Sequence, residues 1–296
     1  MILKQTGKIC DGLYSTGYYF MPAFLLTSKT PVLFDAGVAA MGPYYLKDIE
    51  TYLGRADTLG YLLLTHSHYD HCGSIPFLQE KIPGLKIGAS LHAAKILQKP
   101  SVVEMMRKLN NNFANVFRDL IENKDIPFNA VKVDLLLKDG DDLDFGEGWT
   151  VRIIETPGHT KDSLSYYIPR IKAVIAGEAA GVFHNDSINP QFSSSYSDYM
   201  ASLEKLAALD MDILALGHRH ILTGVDIGRF LKNSIETTVS FKKTIDNYLD
   251  RFNGDKEKVV EAVFSEIYDE TVLMQQDKTS FLLNLRAQVR VVAEGK

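Results

Sequence analysis

The stretch THSHYDHCGS, residues 65–74, decides the fold. It places three of the eight histidines of the chain and one aspartate within six positions, as His66, His68, Asp70 and His71. It follows GYLLLT, residues 60–65, a short apolar run that begins at a glycine and predicts a strand buried on both faces. Side chains at the end of such a strand meet in the crevice where α/β proteins bind ligands. The cluster is therefore placed for binding.

The residue types of this cluster predict a metal site. Imidazole nitrogens and carboxylate oxygens together suit zinc, iron or manganese. The competing interpretation is a polar loop whose histidines cap the helix that begins near His71. A loop that only caps a helix does not require three imidazoles, whose protonation changes close to neutral pH. We therefore interpret the cluster as metal ligands.

Further ligands are expected from three later strand ends. ETPGHT places His159 after the strand WTVRIIE, AVIAGE places Glu178 at a strand end, and LALGHRH places His218 after MDILAL. Each repeats the strand-to-loop setting of the first cluster, so four strand ends are expected to converge on one rim. The candidate metal ligands are His66, His68, Asp70, His71, His159, Glu178 and His218.

The remaining polar candidates have weaker settings. His92 lies within the helical pattern LHAAKIL, which favours a surface or packing role. His184 and His220 are candidates for the substrate pocket, because each follows a candidate ligand by a few residues. Tyr69 is a candidate catalytic residue that donates a hydrogen bond to an oxyanion, or an aromatic packed in the loop. The sequence leaves both interpretations of Tyr69 open.

The order of elements predicts a large α/β domain followed by helices. Strands and helices alternate in the first half and again in the second, which favours two packed sheets with helices outside, a four-layer sandwich. Residues 101–123 predict a helical insertion. After residue 226 the strands end, and residues 227–252 predict a long amphipathic helix. Its predicted apolar side consists of Ile227, Phe230, Leu231, Ile235, Val239, Ile245 and Leu249. Asp255 is expected to cap the next helix.

We accordingly predict a catalytic domain over residues 1–226 and a helical extension over residues 227–296. The extension is interpreted as a lid over the site, as the surface of a homodimer, or as a purely stabilising element. The sequence leaves these three roles open.

Composition and charge exclude several classes of protein. The net charge is −5, with acidic and basic residues mixed along the chain, which argues against nucleic-acid binding by phosphate neutralisation. No apolar run is long enough to span a bilayer, and the N-terminus lacks the features of a signal peptide. We expect a cytoplasmic protein with no membrane partner. Two cysteines without a CxxC pair disfavour a disulfide scaffold.

The motifs THSHYDHCG, PGHT, AGE and GHRH, in this order across roughly residues 20–222, resemble those of the metallo-β-lactamase superfamily. The resemblance implies an αββα sandwich with the site at one edge of the two sheets. It also implies two metal sites, one bound by His66, His68 and His159 and the other by Asp70, His71 and His218.

Glu178 departs from the pattern of the family, whose bridging ligand is normally an aspartate. Glutamate is one methylene longer. It either bridges both metals with a shifted backbone, binds one metal only, or changes the metal preference. These alternatives stay open.

The resemblance implies a hydrolase that uses two divalent ions, zinc or iron with manganese as an alternative, to activate water. Asp70 is expected to hold metal and to orient the nucleophile. Our first hypothesis for the substrate is a thioester, of the acyl-coenzyme A type, or a related small ester. The alternatives are a lactonase or glyoxalase-II-like hydrolase, and a degenerate metal-binding regulator.

Overall fold

The computed structural model describes residues 2–3, 6–116, 126–184, 187–268 and 278–295. The chain forms two compact units. The first comprises Met1–Glu155, Asp162–Gly177 and Met211–Gly224, and the second comprises Thr156–Lys161, Glu178–Asp210 and Val225–Lys296. The expected division at residues 226 and 227 stays a prediction.

The first unit contains two sheets, each with seven strands in the described residues. In the first sheet, strands β2 to β8 lie side by side in chain order. Pairing is antiparallel from β2 to β5 and parallel from β5 to β8. The strands are β2 (Gly7–Cys10), β3 (Leu13–Tyr18), β4 (Met21–Leu26), β5 (Val32–Phe34), β6 (Tyr61–Leu63), β7 (Lys86–Ser90) and β8 (Leu135–Leu137).

The second sheet has the order β1-β16-β15-β12-β11-β10-β9. Only β12 and β15 pair in parallel among its described strands. The strands are β1 (Ile2–Leu3), β9 (Asp142–Asp144), β10 (Thr150–Glu155), β11 (Leu164–Ile168), β12 (Ala173–Ile175), β15 (Ile213–Ala215) and β16 (Ile221–Thr223).

The α-helices of the first unit alternate with strands of the first sheet. They are α1 (Gly42–Leu53), α2 (Tyr69–Cys72), α3 (Ile75–Lys81), α4 (Leu91–Ile96) and α5 (Pro100–Val116). Helix α5 coincides with the predicted helical insertion over residues 101–116, and residues 117–123 of that prediction lie outside the described part of the chain.

The two sheets pack face to face through an apolar core. Strand β4 is buried along its whole length, and its side chains alternate between the two sides of the sheet. Phe24 and Leu26 join the core between the sheets, whereas Ala23 and Leu25 join the cluster under the helices. Tyr166 of β11 lies in the inter-sheet core, and its hydroxyl donates to the carbonyl of Leu64.

The outer face of the first sheet is covered by helices. Tyr45 and Ile49 of α1 and Leu78 of α3 pack against the side chains of that face. Helix α1 starts with a proline in its first turn and ends at Gly54, whose φ of 77° is a conformation that glycine adopts at low cost.

The second unit contains the hairpin of β13 (Val182–His184) and β14 (Ser187–Asn189) and, in its described residues, four α-helices. These are α6 (Tyr196–Ala207), α7 (Val225–Arg251), α8 (Lys256–Ile267) and α9 (Lys278–Ala293). The Asp255 side chain accepts a hydrogen bond from the backbone N–H of Lys258, so the predicted cap of α8 is confirmed.

Helix α7 buries Ile227, Phe230, Leu231 and Ile245 of the predicted apolar side, together with two polar residues that the spacing did not predict. Val239 is 48% exposed, whereas Ser234 and Thr238 are fully buried. The Ser234 hydroxyl donates to the carbonyl of Ala180 and the Thr238 hydroxyl donates to that of Ser234, at 2.8 and 2.7 Å. Because these hydroxyls find acceptors, the helix can bury them beside its apolar side chains, and apolar spacing alone does not predict this part of the buried face.

The predicted two-sheet α/β sandwich with a C-terminal helical region is confirmed. None of the helices in the described ranges is long and apolar enough to cross a membrane.

Candidate metal centre

The loop after β6 and helix α2 carry four of the candidate ligands. The N–H of His71 donates to the carbonyl of His68 at 3.0 Å, so the loop turns directly into the helix. The segment after β5 holds this loop from the side, since Ala36 N–H donates to His71 O and Gly73 N–H donates to Gly37 O, both at 2.7 Å. The backbone of the loop is therefore fixed independently of any ligand.

Asp35 is a functional candidate that the sequence motifs did not indicate. It is buried, and its φ of 62° lies in the left-handed region, which aspartate tolerates better than most residues. Its Oδ1 accepts from the N–H of Thr65 at 2.7 Å, and its Oδ2 accepts from the Thr65 hydroxyl at 2.8 Å and from Nδ1 of His71 at 2.9 Å. The signal in the sequence was a carboxylate at the end of the buried strand PVLF.

These contacts fix the tautomers of two candidate ligands. Because the carboxylate of Asp35 only accepts, Nδ1 of His71 carries the proton, and Nε2 carries the lone pair that can bind metal. The Thr65 hydroxyl has one proton, which it donates to Asp35. It therefore accepts from Nδ1 of His66, 3.0 Å away, and again Nε2 carries the lone pair.

Backbone carbonyls orient two further histidines in the same way. Nδ1 of His159 donates to the carbonyl of Gln191 at 2.7 Å, and Nδ1 of His218 donates to that of Phe20 at 3.2 Å. Nε2 of His159 lies 3.6 Å from Oε2 of Glu178, and Nε2 of His218 lies 3.6 Å from Oδ2 of Asp70. In both pairs the nitrogen with the lone pair faces a carboxylate oxygen.

All seven predicted ligands fall into two groups that could each hold a metal ion. Within each group, one ligand atom per residue lies within 4.8 Å of the others. The first group contains three imidazoles, a set that catalytic zinc sites use with an open position. The second combines two imidazoles and two carboxylates, which suits zinc, iron or manganese. The groups are His66, His68 and His159, and Asp70, His71, Glu178 and His218.

Close packing shapes the turn that carries His159. Gly158 has a φ of 126°, and a Cβ there would lie 2.3 Å from the backbone nitrogen of Tyr199 in α6. The carbonyl of Gly158 accepts from the N–H of Ser194 at 2.9 Å, and Pro157 O accepts from the hydroxyl of Ser202 at 2.7 Å. Only glycine permits this approach of α6 to the turn.

Asp162 gives the first loop a second anchor. This buried carboxylate accepts a hydrogen bond from the N–H of Ser67, between two candidate ligands, at 2.7 Å. The next strand starts with the N–H of Leu164 donating to Thr65 O at 2.7 Å. The second sheet therefore fixes the loop that the first sheet carries.

The other sequence candidates are placed as follows. The ring of Tyr69 is half-buried and packs against the apolar cluster under the helices, and its catalytic role stays a prediction. His220 is buried beside His218, and His184 belongs to β13 with its side chain outside the described part, so the pocket roles of both stay predictions. His92 is exposed on α4.

Burial also sets the charge state of two groups near the candidate ligands. It raises the pKa of the Cys72 thiol well above its usual value, so this thiol stays protonated and is a poor ligand or nucleophile. Burial lowers the pKa of the Arg219 guanidinium, which still remains a cation at neutral pH.

Comparison with known proteins agrees with the motifs. The Metallo-beta-lactamase fold-containing protein ST1585 of Sulfurisphaera tokodaii is 26% identical over 221 residues, which cover 70% of this chain and 75% of that protein. The hydroxyacylglutathione hydrolase of Brucella ovis is 29% identical over 167 residues, 56% of this chain and 50% of that protein. The crystal structure of ST1585 superposes with a TM-score of 0.59 over 97% of this chain and 98% of that chain, at 20% identity, which is a likeness of fold.

The sequence model of the metallo-beta-lactamase superfamily matches residues 22–218, two thirds of the chain and the whole span of the candidate ligands. The predicted fold class is thereby confirmed. The chain belongs to the metallo-β-lactamase superfamily of metal-dependent hydrolases.

Proposed function

We propose that the chain is a dinuclear metal-dependent hydrolase that cleaves thioesters or related small esters. One observation carries the proposal: four of the five histidines in the two ligand groups are oriented by a hydrogen bond at Nδ1, which leaves Nε2 free to bind metal. In a polar loop that binds no ligand, four imidazoles are not expected to share the tautomer with the proton on Nδ1.

The bound ions would supply a nucleophile at neutral pH and polarise a carbonyl. The residues of the chain prepare that chemistry. Asp70 is half-buried in the second group, where one carboxylate oxygen can bind a cation and the other can accept a hydrogen bond from water and so orient it. Glu178 belongs to the second group and also lies 3.6 Å from His159 of the first, a position that suits a bridging carboxylate.

A thioester suits these residues better than an amide. A thiolate leaves without protonation, so the site needs no strong general acid, and no such acid is evident among the candidates. One relative is named for hydroxyacylglutathione hydrolysis, which is in line with this substrate class. The segments HYDHCG, GHTKDS with Asp162, and GEAAG also resemble the quinolone-signal response protein, a thioesterase of this superfamily.

The first test removes one ligand. His68→Ala should lower kcat/KM for a thioester by more than about 100-fold, because changes one shell further out already cost 10- to 100-fold in such sites. The exposed His92→Ala is the matched control and should keep wild-type activity. Circular dichroism should show both variants folded. Retained hydrolysis in a folded His68→Ala protein would rule out a catalytic metal at this group.

The second test identifies the reaction. Elemental analysis of the purified protein should find two divalent ions per chain. The metal-loaded protein should then be assayed on acyl-coenzyme A thioesters, lactones and S-lactoylglutathione. Turnover of lactones alone would make it a lactonase, and preference for S-lactoylglutathione would make it glyoxalase-II-like. Metal without any turnover would favour a metal-binding regulator.

A further inference from the structure

The loop between β15 and β16 holds an arginine in a strained position beside a candidate metal ligand. The N–H of His220 donates to the carbonyl of His218 at 2.7 Å, which closes a three-residue turn centred on Arg219. Arg219 has a φ of 66°, a left-handed conformation that residues with a Cβ rarely adopt. The N–H of Leu216 donates to His220 O at 3.1 Å and locks the base of the turn. Such outliers cluster at binding sites.

The guanidinium of Arg219 has no anionic partner in the described part of the chain. The side chain is half-buried, and no hydrogen bond, ion pair or stacked ring for its guanidinium is found among the described residues. Two more exposed arginines do have carboxylate partners, since Arg152 pairs with Asp142 at 3.0 Å and Arg286 with Glu257 at 3.2 Å. Partial burial of a cation without an anion is costly, so an external anion would stabilise this position.

The turn between β3 and β4 carries a second polar side chain of this region. Burial lowers the pKa of Arg219, and Tyr19 of that turn opposes this effect electrostatically. The same turn is tied to the loop, because the carbonyl of Phe20 accepts from Nδ1 of His218. Phe20 stacks on the ring of Tyr18, with centroids 5.5 Å apart, so the turn also offers a planar apolar surface.

We propose that Arg219 and Tyr19 form an anion-binding subsite beside the metal centre, and that it selects substrates that carry a carboxylate or a phosphate. This inference rests on the proposed hydrolase function, since His218 of the second ligand group directly precedes Arg219. A guanidinium is suited to this task, because it binds carboxylate and phosphate through two parallel hydrogen bonds.

The test compares three thioesters that differ in charge and in its location. S-butyryl-N-acetylcysteamine is neutral, S-succinyl-N-acetylcysteamine carries a carboxylate on the acyl side, and butyryl-coenzyme A carries phosphates on the leaving group. The wild-type protein should show a kcat/KM for one anionic thioester at least about tenfold above that for the neutral one, as expected for a charge-assisted hydrogen bond. Preference for the succinyl thioester would place the recognised anion on the acyl side, and preference for butyryl-coenzyme A would place it on the leaving group.

Substitutions then test which side chains cause the preference for the anionic thioester. Arg219→Met should reduce the anionic-to-neutral ratio to about one, Arg219→Lys should keep part of it, and Tyr19→Phe should lower it less than Arg219→Met. Arg152→Met, which removes an exposed and paired arginine, is the matched control and should keep the wild-type ratio. A wild-type ratio near one, or a ratio that survives Arg219→Met, would overturn the inference while the hydrolase function stands.

A binding measurement separates the inference from the proposed function. If wild-type protein cleaves none of the three thioesters, the hydrolase proposal fails as stated. Calorimetric titration of metal-loaded protein with succinate and with inorganic phosphate then decides on the subsite. Affinity for one of these anions should fall at least about tenfold in Arg219→Met. Equal affinity in variant and wild type would refute the subsite.

Discussion

At the scale of single residues, the orientation of the histidines matters as much as their number. A histidine binds metal with a known nitrogen only when its other nitrogen has a fixed partner. Here the partners are a buried carboxylate, a hydroxyl already committed as a donor, and two backbone carbonyls. Asp35 has the widest reach among them, because it orients His71 directly and His66 through Thr65.

Asp35→Asn should therefore weaken metal binding without unfolding the chain. Asparagine tolerates the φ of 62°, and it keeps the size of the side chain, but one acceptor oxygen becomes an NH₂ donor. We expect a 10- to 100-fold loss of affinity for the more weakly held ion, measured by chelator competition and elemental analysis.

Asp134→Asn is the matched control for this prediction. Its carboxylate also accepts a backbone N–H, that of Ile87 at 3.0 Å, but it orients no candidate ligand. Affinity should stay at the wild-type value. An equal loss in both variants would show that Asp35 acts on general stability and not on the imidazoles.

At the scale of elements, the C-terminal helices support the segment that orients His159. Gln288 of α9 is buried, and its amide donates to the carbonyl of Pro190 at 2.6 Å. The next residue, Gln191, supplies the carbonyl that accepts from Nδ1 of His159. Apolar spacing predicted these helices, but it could not predict their polar contacts, because a buried Gln or Ser looks like a surface residue in the sequence.

Gln288→Leu should weaken metal binding at the first ligand group. The substitution leaves the carbonyl of Pro190 without its amide donor, at a cost of about 1–3 kcal/mol in stability. It also frees the adjacent carbonyl of Gln191 to shift away from His159. We expect the affinity for one ion to fall about tenfold, the lower end for outer-shell partners, measured by chelator competition.

Gln98→Leu offers a comparison with the same chemistry elsewhere. The amide of Gln98 donates to the carbonyl of Val131 at 2.5 Å, in a segment that orients no candidate ligand. This variant should lose stability and keep its metal affinity. If both variants bind metal equally well, α9 has no role in positioning His159.

At the scale of the whole molecule, the sequence allowed prediction of the sandwich and of the ligand types because both depend on side chains in a fixed order. Strand ends recur before each motif, and this placed His159, Glu178 and His218 with the first cluster. The supporting shell was harder to predict. Its acceptors at Phe20 and Gln191 are backbone carbonyls, which every residue has, so only the folded chain shows which of them is used.

The two ligand groups also predict that metal stabilises the folded chain. His66, His71, His159 and Glu178 are buried, and two carboxylates share the second group, so without cations their polar atoms are desolvated and the carboxylates repel each other. An ion at a free concentration 100-fold above its Kd stabilises the folded state by about 2.7 kcal/mol. For a chain of this size that corresponds to about 4 °C in Tm for each ion, and to about 9 °C for two.

Removal of metal by a chelator should therefore lower the Tm in calorimetry by at least about 5 °C, and added zinc, iron or manganese should restore it. Magnesium should not, because it prefers an octahedral shell of oxygen ligands. In His68→Ala the difference in Tm between metal-loaded and metal-free protein should shrink, since the first group keeps only two imidazoles. In His92→Ala this difference in Tm should equal that of the wild type. An unchanged Tm after the ions are shown to be gone would mean that this fold tolerates the buried ligands without cations.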